Sequence, residues 1–212
     1  MLIADLRKKY KPASLRRKGL AGDPFRQFHK WFRKALETVR GEPNAMMLAT
    51  ADQSGRPSAR TVLLKSFDKH GFVFYTNYKS RKGRELAENP HAALVFYWAE
   101  LQRQVCIAGL VRKIPREESE AYFQSRPLES RLAAWVSPQS QVISGRDVLE
   151  EGMQLMKQKY RRRKVPLPPH WGGFLLAPVS IEFWQGRPNR LHDRFRYIRW
   201  RKKGWTIEQL AP

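Results

Sequence analysis

The 212-residue chain carries a net charge of +22 and is 42% apolar, 12% aromatic and 28% charged. That apolar and aromatic content excludes a disordered polyelectrolyte, and a chain of this length buries roughly 70% of its unfolded surface without needing staples. The single cysteine, Cys106, excludes an internal disulfide, and the longest apolar run, residues 92–99, falls far short of the roughly 20 residues that span a bilayer.

In chain order, residues 1–22 read as a basic arm interrupted by Pro12, Gly19 and Gly22. Its early charges at Asp5 and Arg7 argue against a signal peptide, so a soluble, cytoplasmic protein is expected. Asp23-Pro24 then offers an N-cap followed by proline at the first helical position. Phe25, Phe28, Phe32, Leu36 and Val39 recur at steps of three and four, which predicts an amphipathic core helix over 24–40. Strands are expected over 45–51, 58–67 and 72–77, the last two a hairpin turning at Lys69-His70-Gly71. Ser80 caps a helix that Asn89-Pro90 stops. Strands over 91–98 and 101–114 follow, the second long enough to bend around a barrel; Cys106 lies in it and is expected to be a buried, inert thiol. Helices are predicted over 115–126, 128–136 and 146–160, the first interrupted by Pro127. A basic, proline-rich connector over 161–170 leads to strands over 174–184, 194–200 and after Gly204. At least six antiparallel strands with inserted helices predict an α+β protein built on a β-barrel. It is expected as one domain over 23–212 preceded by the arm.

Three basic stretches, residues 5–18, 157–164 and 187–203, carry +19 of the +22. Such a distribution suits polyanions or small phosphorylated ligands, and no nucleic-acid-binding motif decides between them. The chain has no G-x-G-x-x-G after a strand, no P-loop and no G-x-S-x-G elbow, which argues against Rossmann-type nicotinamide binding, nucleotide hydrolysis and a serine nucleophile. Its five histidines, His29, His70, His91, His170 and His192, lack ligand spacing, so no metal site is expected.

What remains is three polar clusters. Arg81 and Lys82 occupy the first turn of a helix whose N-terminus already carries partial positive charge, so a docked anion or a solvated basic surface are both open readings. Tyr122, Arg126 and Ser130 are spaced i, i+4, i+8 and present a phenol, a guanidinium and a hydroxyl to one phosphate-like ligand, or form an ordinary amphipathic surface. Arg190, His192 and Arg194 alternate about Leu191 and Asp193 and would share a face of an extended segment.

Arg60-Thr-Val-Leu-Leu-Lys65, Phe74-Tyr75-Thr76-Asn77, Ser80-Arg81-Lys82, Arg103-Gln104-Val105, Tyr122-Phe-x-Ser-Arg-Pro127, Trp135-Val-Ser-x-Gln-Ser140, Trp171-Gly-Gly-Phe174, Phe183-Trp-Gln-Gly186 and Arg190-Leu-His-Asp-Arg-Phe195 together resemble the pyridoxamine/pyridoxine 5′-phosphate oxidase family. The resemblance spans nearly the whole chain in order. It implies an FMN-binding split β-barrel and a homodimer with both flavins at the interface. The implied reaction oxidises pyridoxamine or pyridoxine 5′-phosphate to pyridoxal 5′-phosphate, with dioxygen as acceptor. FMN would be held by Arg60, Thr61, Val62, Leu63, Leu64 and Lys65, by Tyr75 and Thr76, and by Arg81 and Lys82. Gln104, Gln139, Ser140, Trp184 and Arg194 would complete its site. The resemblance assigns the substrate phosphate to Lys65, Tyr122, Arg126 and Ser130. Arg190, Leu191 and His192 would lie over the pyridine ring, Arg190 and His192 as the catalytic pair, with Arg7, Lys8, Lys9 and Tyr10 as a lid. Two rivals remain beside it: a related flavoenzyme of the same barrel acting on another ring, such as a phenazine-type precursor, and a basic nucleic-acid-binding module.

Overall fold

One antiparallel sheet organises the computed structural model, which describes Tyr10, residues 13–200 and residues 204–212. Its strands are β1 (Ala45–Ala51), β2 (Pro57–Leu63), β3 (Ser66–Asp68), β4 (Gly71–Asn77), β5 (His91–Trp98), β6 (Arg103–Lys113), β7 (Trp171–Gln185), β8 (Asp193–Trp200) and β9 (Gly204–Leu210). The order is β2-β1-β5-β6-β7-β4-β3, with β8 pairing both β7 and β9. The end strands β2 and β3 are separated in sequence only by Leu64 and Lys65, so the sheet has to curl back on itself. A bond from the Lys65 N–H to the Val73 carbonyl, 2.9 Å, helps to close the curl. The result is an antiparallel split barrel with peripheral helices, as expected, although residues 58–67 are two strands and not one.

β7 is the spine. β6 pairs along most of its length, while its other edge pairs first with β4, from Trp171 to Leu176, and then with β8, from Ser180 to Gln185. The handover falls at a bulge, where the β6–β7 register shifts between Ala108 and Gly109. A Cβ on Gly109 would sit 2.1 Å from the Ala177 carbonyl oxygen, so only glycine lets the strands approach there. The predicted strand over 174–184 begins three residues earlier because Trp171, Gly172 and Gly173 complete the ladder with β4.

Helix α1 (Pro24–Thr38) begins as its sequence requires, with the Asp23 carboxylate accepting the Arg26 N–H at 2.9 Å and proline at the first position. Its Phe25, Phe28, Trp31 and Ala35 face plugs the barrel. Phe28 is fully buried, with ring centroids of Phe67, Phe72, Phe96 and Phe32 at 4.8, 5.0, 5.2 and 5.5 Å. Truncating it removes a large ring from a cavity that stiff aromatic neighbours cannot refill. Phe28→Ala is therefore expected to cost about 3–5 kcal/mol. Urea unfolding checks this: the midpoint should fall with an unchanged slope, and an unaltered midpoint would refute the packing argument.

Helix α2 (Arg81–Glu88) follows β4, whereas α3 (Arg116–Ser125), α4 (Leu128–Val136) and α5 (Asp147–Lys159) form a second layer at the Trp171 end of β7. There Phe123, Leu132, Val165, Leu167 and Trp171 make a second apolar cluster. The proline-rich connector is part of this cluster. Its backbone carbonyls at Val165, Pro166 and Leu167 accept bonds from Gln124, Trp135 and Arg116 at 2.9, 2.8 and 3.1 Å.

Candidate active site

A cavity of about 470 Å³ opens where the β2–β3 break, β4, the start of α2 and the α3–α4 corner meet. Thr61, Val62, Leu63 and Lys65 line it from the first of these, Tyr75 and Thr76 from β4, and Lys82 from α2. Tyr122, Arg126, Pro127, Ser130, Gln139 and Trp171 complete the wall. The break after Leu63 is what brings Lys65 to it. Residues five apart on a regular strand face opposite ways, and Arg60 and Lys65 no longer share one strand. Leu64 packs into the barrel core, 4% exposed.

At one end of the cavity lies an aromatic stack. Tyr75 is 3.9 Å from Tyr122 and 5.4 Å from Trp171, with interplanar angles of 21° and 14°. Burial, then the neighbouring Tyr122 and Glu118, pushes the Tyr75 phenol up to about 12, so it stays a neutral wall. The Arg126 guanidinium lies 4.7 Å over the Trp171 ring, and the Lys65 ammonium is 6.0 Å from that of Tyr122. The i, i+4, i+8 spacing of Tyr122, Arg126 and Ser130 suggests one helical face, although Pro127 divides the two helices predicted there. These residues stand on both, with Arg126 in extended backbone between α3 and α4, yet all three reach the same cavity. Arg126 Nη1 is buried with no hydrogen-bond partner among the described residues. A guanidinium donor left unpaired is costly, and burial lowers the Arg126 pKa from its ordinary value. An anion such as phosphate fits that donor.

At the other end, Gln139 Oε1 accepts from Thr76 Oγ1 and from Lys82 Nζ, both at 3.1 Å. Lys82 is 9% exposed; burial and then the charge of Arg60 lower its pKa, with Glu85 opposing. Ser80 caps α2 by accepting the Gly83 N–H at 3.3 Å. The two cations of the first turn part company. Lys82 turns to the cavity, while Arg81 folds back to Glu85 at 2.8 Å. Ser140, next to Gln139, is exposed in a left-handed conformation with φ of 70°.

The remaining candidates gather elsewhere. Gln104, Trp184 and Arg194 are cross-strand neighbours in one row over β6, β7 and β8. Arg194 is held by Glu182 through two bonds of 2.8 and 3.2 Å, and Gln104 donates to Cys106 Sγ at 3.3 Å. Burial and then Glu182 push the Cys106 thiol up to about 11, which keeps it neutral. The His192 ring lies 4.6 Å from Trp184, and the Tyr10 ring meets both edge-on at 5.4 and 5.9 Å. The Arg187 N–H donates to His192 Nδ1 at 3.0 Å, which places the proton of the neutral ring on Nε2. Burial, then Arg190, lowers the His192 pKa. The expectation that Arg190, His192 and Arg194 share an extended face is corrected. Asn189 and Arg190 take left-handed backbone (φ 57° and 61°), and β8 starts only at Asp193. Leu191 is 68% exposed. Arg7, Lys8 and Lys9 lie outside the described residues.

None of Gln104, Trp184, Arg190, His192 or Arg194 lines the 470 Å³ cavity. Trp171, in its wall, and Trp184 are thirteen residues apart on β7, a contour of about 40 Å. The chain thus carries two separate clusters of candidate residues at opposite ends of one strand. Sequence reasoning missed Glu85 and Glu182, the carboxylates that fix Arg60, Arg81 and Arg194; the i, i+4 spacing of Arg81 and Glu85 could have found the first, and the i, i+2 spacing of Glu182 and Trp184 hinted at a shared face for the second. No cluster of metal-ligand type occurs among the described residues.

Known proteins match both ends of this arrangement. Residues 32–158 fit a family model described as pyridoxamine 5′-phosphate oxidase, and residues 171–212 fit one described as the pyridoxine 5′-phosphate oxidase C-terminal dimerisation region. A pyridoxine/pyridoxamine 5′-phosphate oxidase of Gloeothece citriformis is 58% identical over 210 residues, covering 99% of this chain and 98% of the relative. One from Paraburkholderia phymatum is 55% identical over 99% of both chains. Among solved structures, PhzG from Burkholderia lata, in complex with tetrahydrophenazine-1-carboxylic acid, superposes with a TM-score of 0.87 at 32% identity, covering 95% of this chain and 99% of that one. An FMN-binding protein of Nostoc punctiforme shares the fold at a TM-score of 0.72 and 21% identity, over 91% of this chain and 100% of its own. Similarity this deep, running through both clusters, settles the family: the chain belongs to the pyridoxamine 5′-phosphate oxidases.

Proposed function

We propose that the protein oxidises pyridoxamine 5′-phosphate and pyridoxine 5′-phosphate to pyridoxal 5′-phosphate with FMN as cofactor and dioxygen as acceptor. The observation that carries this reading is a cavity with Arg126 beside an aromatic stack and, apart from them, Lys82 with Thr76 and Gln139, two cationic receptors that suit two phosphorylated ligands side by side. Bound flavin supplies the acceptor for the hydride that leaves the substrate's C4′ carbon. Dioxygen takes the two electrons onward as hydrogen peroxide, and the amine substrate takes up water and releases ammonia.

The chain's part is to bind, orient and exclude water. Lys65, Tyr122, Arg126 and Ser130 hold the substrate phosphate, the otherwise unpaired Arg126 Nη1 gaining its acceptor. Thr76, Lys82 and Gln139, backed by Arg60 and Arg81, face the cofactor phosphate. The backbone of residues 61–65 runs along the same wall. In a homodimer the partner subunit's Gln104, Trp184 and Arg194 complete the flavin site, and the partner subunit's Arg190 and His192 cover the substrate ring. His192, neutral and protonated on Nε2, donates a hydrogen bond there and Arg190 adds a fixed positive charge. The reach of β7 and the match of residues 171–212 to a dimerisation region support this sharing. Tyr10, seated on Trp184 and His192, suits the lid expected of the arm.

A second reading has one specific support: the likeness to PhzG, which binds tetrahydrophenazine-1-carboxylic acid in its structure. The same barrel would then act on another ring, and the Tyr122–Arg126–Ser130 receptor would be idle. A single experiment separates the two. Purified protein is expected to show flavin absorption bands that bleach on anaerobic addition of pyridoxamine 5′-phosphate and return with air as peroxide forms. Bands indifferent to that substrate favour the other ring, and a protein that takes up no FMN overturns both. Among the described residues no helix is long and apolar enough to cross a membrane.

A further inference from the structure

The least expected residue in α2 is Glu85. It stands one turn beyond Lys82, on the side of the helix that packs against β1 and β2, with a side chain only 6% exposed. A carboxylate is expensive to bury there, and an apolar residue would pack the position more cheaply. Four donors from three elements meet it instead. Oε2 accepts Thr50 Oγ1 at 2.5 Å, Ser58 Oγ at 2.6 Å and Arg60 Nη2 at 3.4 Å; Oε1 accepts Arg81 Nε at 2.8 Å. Burial alone would raise its pKa, but the bonds from Ser58, Thr50 and Arg81 and the charge of Arg60 outweigh it and hold the group at about 2.

The carboxylate lies among three cations. Arg60 is fixed by the Leu48 carbonyl, Thr50, Ser58 and Glu85, and Arg81 uses Nε on Glu85. Lys82 points the other way, onto Thr76 and Gln139 in the cavity. Left alone, Arg60 and Lys82 repel each other, and Glu85 is the charge that opposes this. Three cations and one anion leave a net charge of about +2 at the end of the cavity that Lys82 enters, the complement of a phosphate dianion.

We propose that Glu85 is a positioning residue: it does not touch the ligand, but it holds Arg60 and Arg81 behind Lys82, which alone of the three enters the cavity, and so confers the preference of this end of the cavity for a phosphorylated cofactor. This rests on the FMN reading above and adds to it the residue that builds the phosphate receptor.

The test compares the affinity of the apoprotein for FMN with that for riboflavin, which lacks only the phosphate, by quenching of flavin fluorescence. The wild-type protein is expected to prefer FMN strongly. Glu85→Gln keeps the shape and removes the charge; its preference should fall about tenfold or more, through weaker FMN binding with riboflavin binding little changed. A merely structural residue would weaken both flavins alike, and that result overturns the proposal. If Glu85→Gln does not fold, Ser58→Ala removes one hydroxyl from the same carboxylate oxygen and should lower the preference about threefold. An unchanged preference in Ser58→Ala also overturns it. A wild-type protein that binds FMN no better than riboflavin removes the phosphate reading itself, whereas a strong wild-type preference that survives Glu85→Gln defeats only the role of Glu85.

Discussion

Replacing Arg126 by alanine is expected to lower kcat/KM for pyridoxamine 5′-phosphate by about 30- to 10³-fold, because one buried, charge-assisted contact to a phosphate is worth roughly 2–4 kcal/mol. The loss should fall mainly in KM, since the contact holds the substrate equally before and during hydride transfer. Arg126 has no ion pair among the described residues, stacks on Trp171 and carries an unpaired buried Nη1. Its removal therefore leaves no stranded partner, and the melting temperature should change little. Arg126→Lys restores a charge but neither the planar fork nor the stack, so it should recover only part of the activity. The control is pyridoxamine without its phosphate, a poor substrate for which wild type and Arg126→Ala should hardly differ. Equal losses on both substrates would falsify the assignment of Arg126 to the phosphate.

A larger effect is expected from two variants that are each inactive alone. Lys82→Ala disables the cavity half-site and Arg194→Ala the row formed with Gln104 and Trp184. If each active site takes its cavity from one subunit and its row from the partner, a mixed dimer has one site with both defects and one with neither. Unfolding and refolding an equal mixture should then recover about a quarter of the wild-type activity, from half the dimers with half their sites intact. Either variant refolded by itself should recover none. If a single subunit supplies both halves, every site in the mixture is defective and the mixture stays dead. That outcome would discard the shared site and require β7 to bring its two ends together within one chain.

Local signals in the sequence foretold local structure well. Asp23-Pro24 starts α1 and Ser80 caps α2 because a cap depends on three or four consecutive residues. Of the stripe read on α1, Phe25 and Phe28 reached the core and Phe32 and Val39 pack half-buried against it, because a period of 3.6 needs no partner to be visible; Leu36 is 56% exposed, and Trp31 and Ala35 fill the core instead. A β-barrel could be expected from strand count and its split form only from the family resemblance, whereas the closing break at Leu64-Lys65 could not be expected from either. Residues 58–67 read as one strand, and the curl that interrupts them arises only when β4 supplies the Val73 carbonyl. Tyr122, Arg126 and Ser130 converge despite Pro127 because two helices meeting at an extended residue keep them at one corner. The alternation of Arg190, His192 and Arg194 misled for the opposite reason: it presumed extended backbone where Asn189 and Arg190 turn left-handed. Glu85 and Glu182 stayed hidden because nothing in a single chain segment reveals which distant arginine a carboxylate will hold.

The spine strand also sets a timetable for synthesis. Trp171, the first residue of β7, is made only after β1–β6 and α1–α5, and both β4 and β6 wait for it as their shared neighbour. Until then the nascent chain offers two open strand edges and an aromatic helix with only part of its barrel, the kind of surface that invites wrong pairing. Closure joins residues about a hundred positions apart, from Phe72 with Leu176 to Asn77 with Trp171, so it is slow compared with forming α1 or the β3–β4 hairpin. The barrel is completed only once β7 emerges, and a chain cut short before it keeps the β2-β1-β5-β6 sheet and the β3–β4 hairpin with nothing to join them.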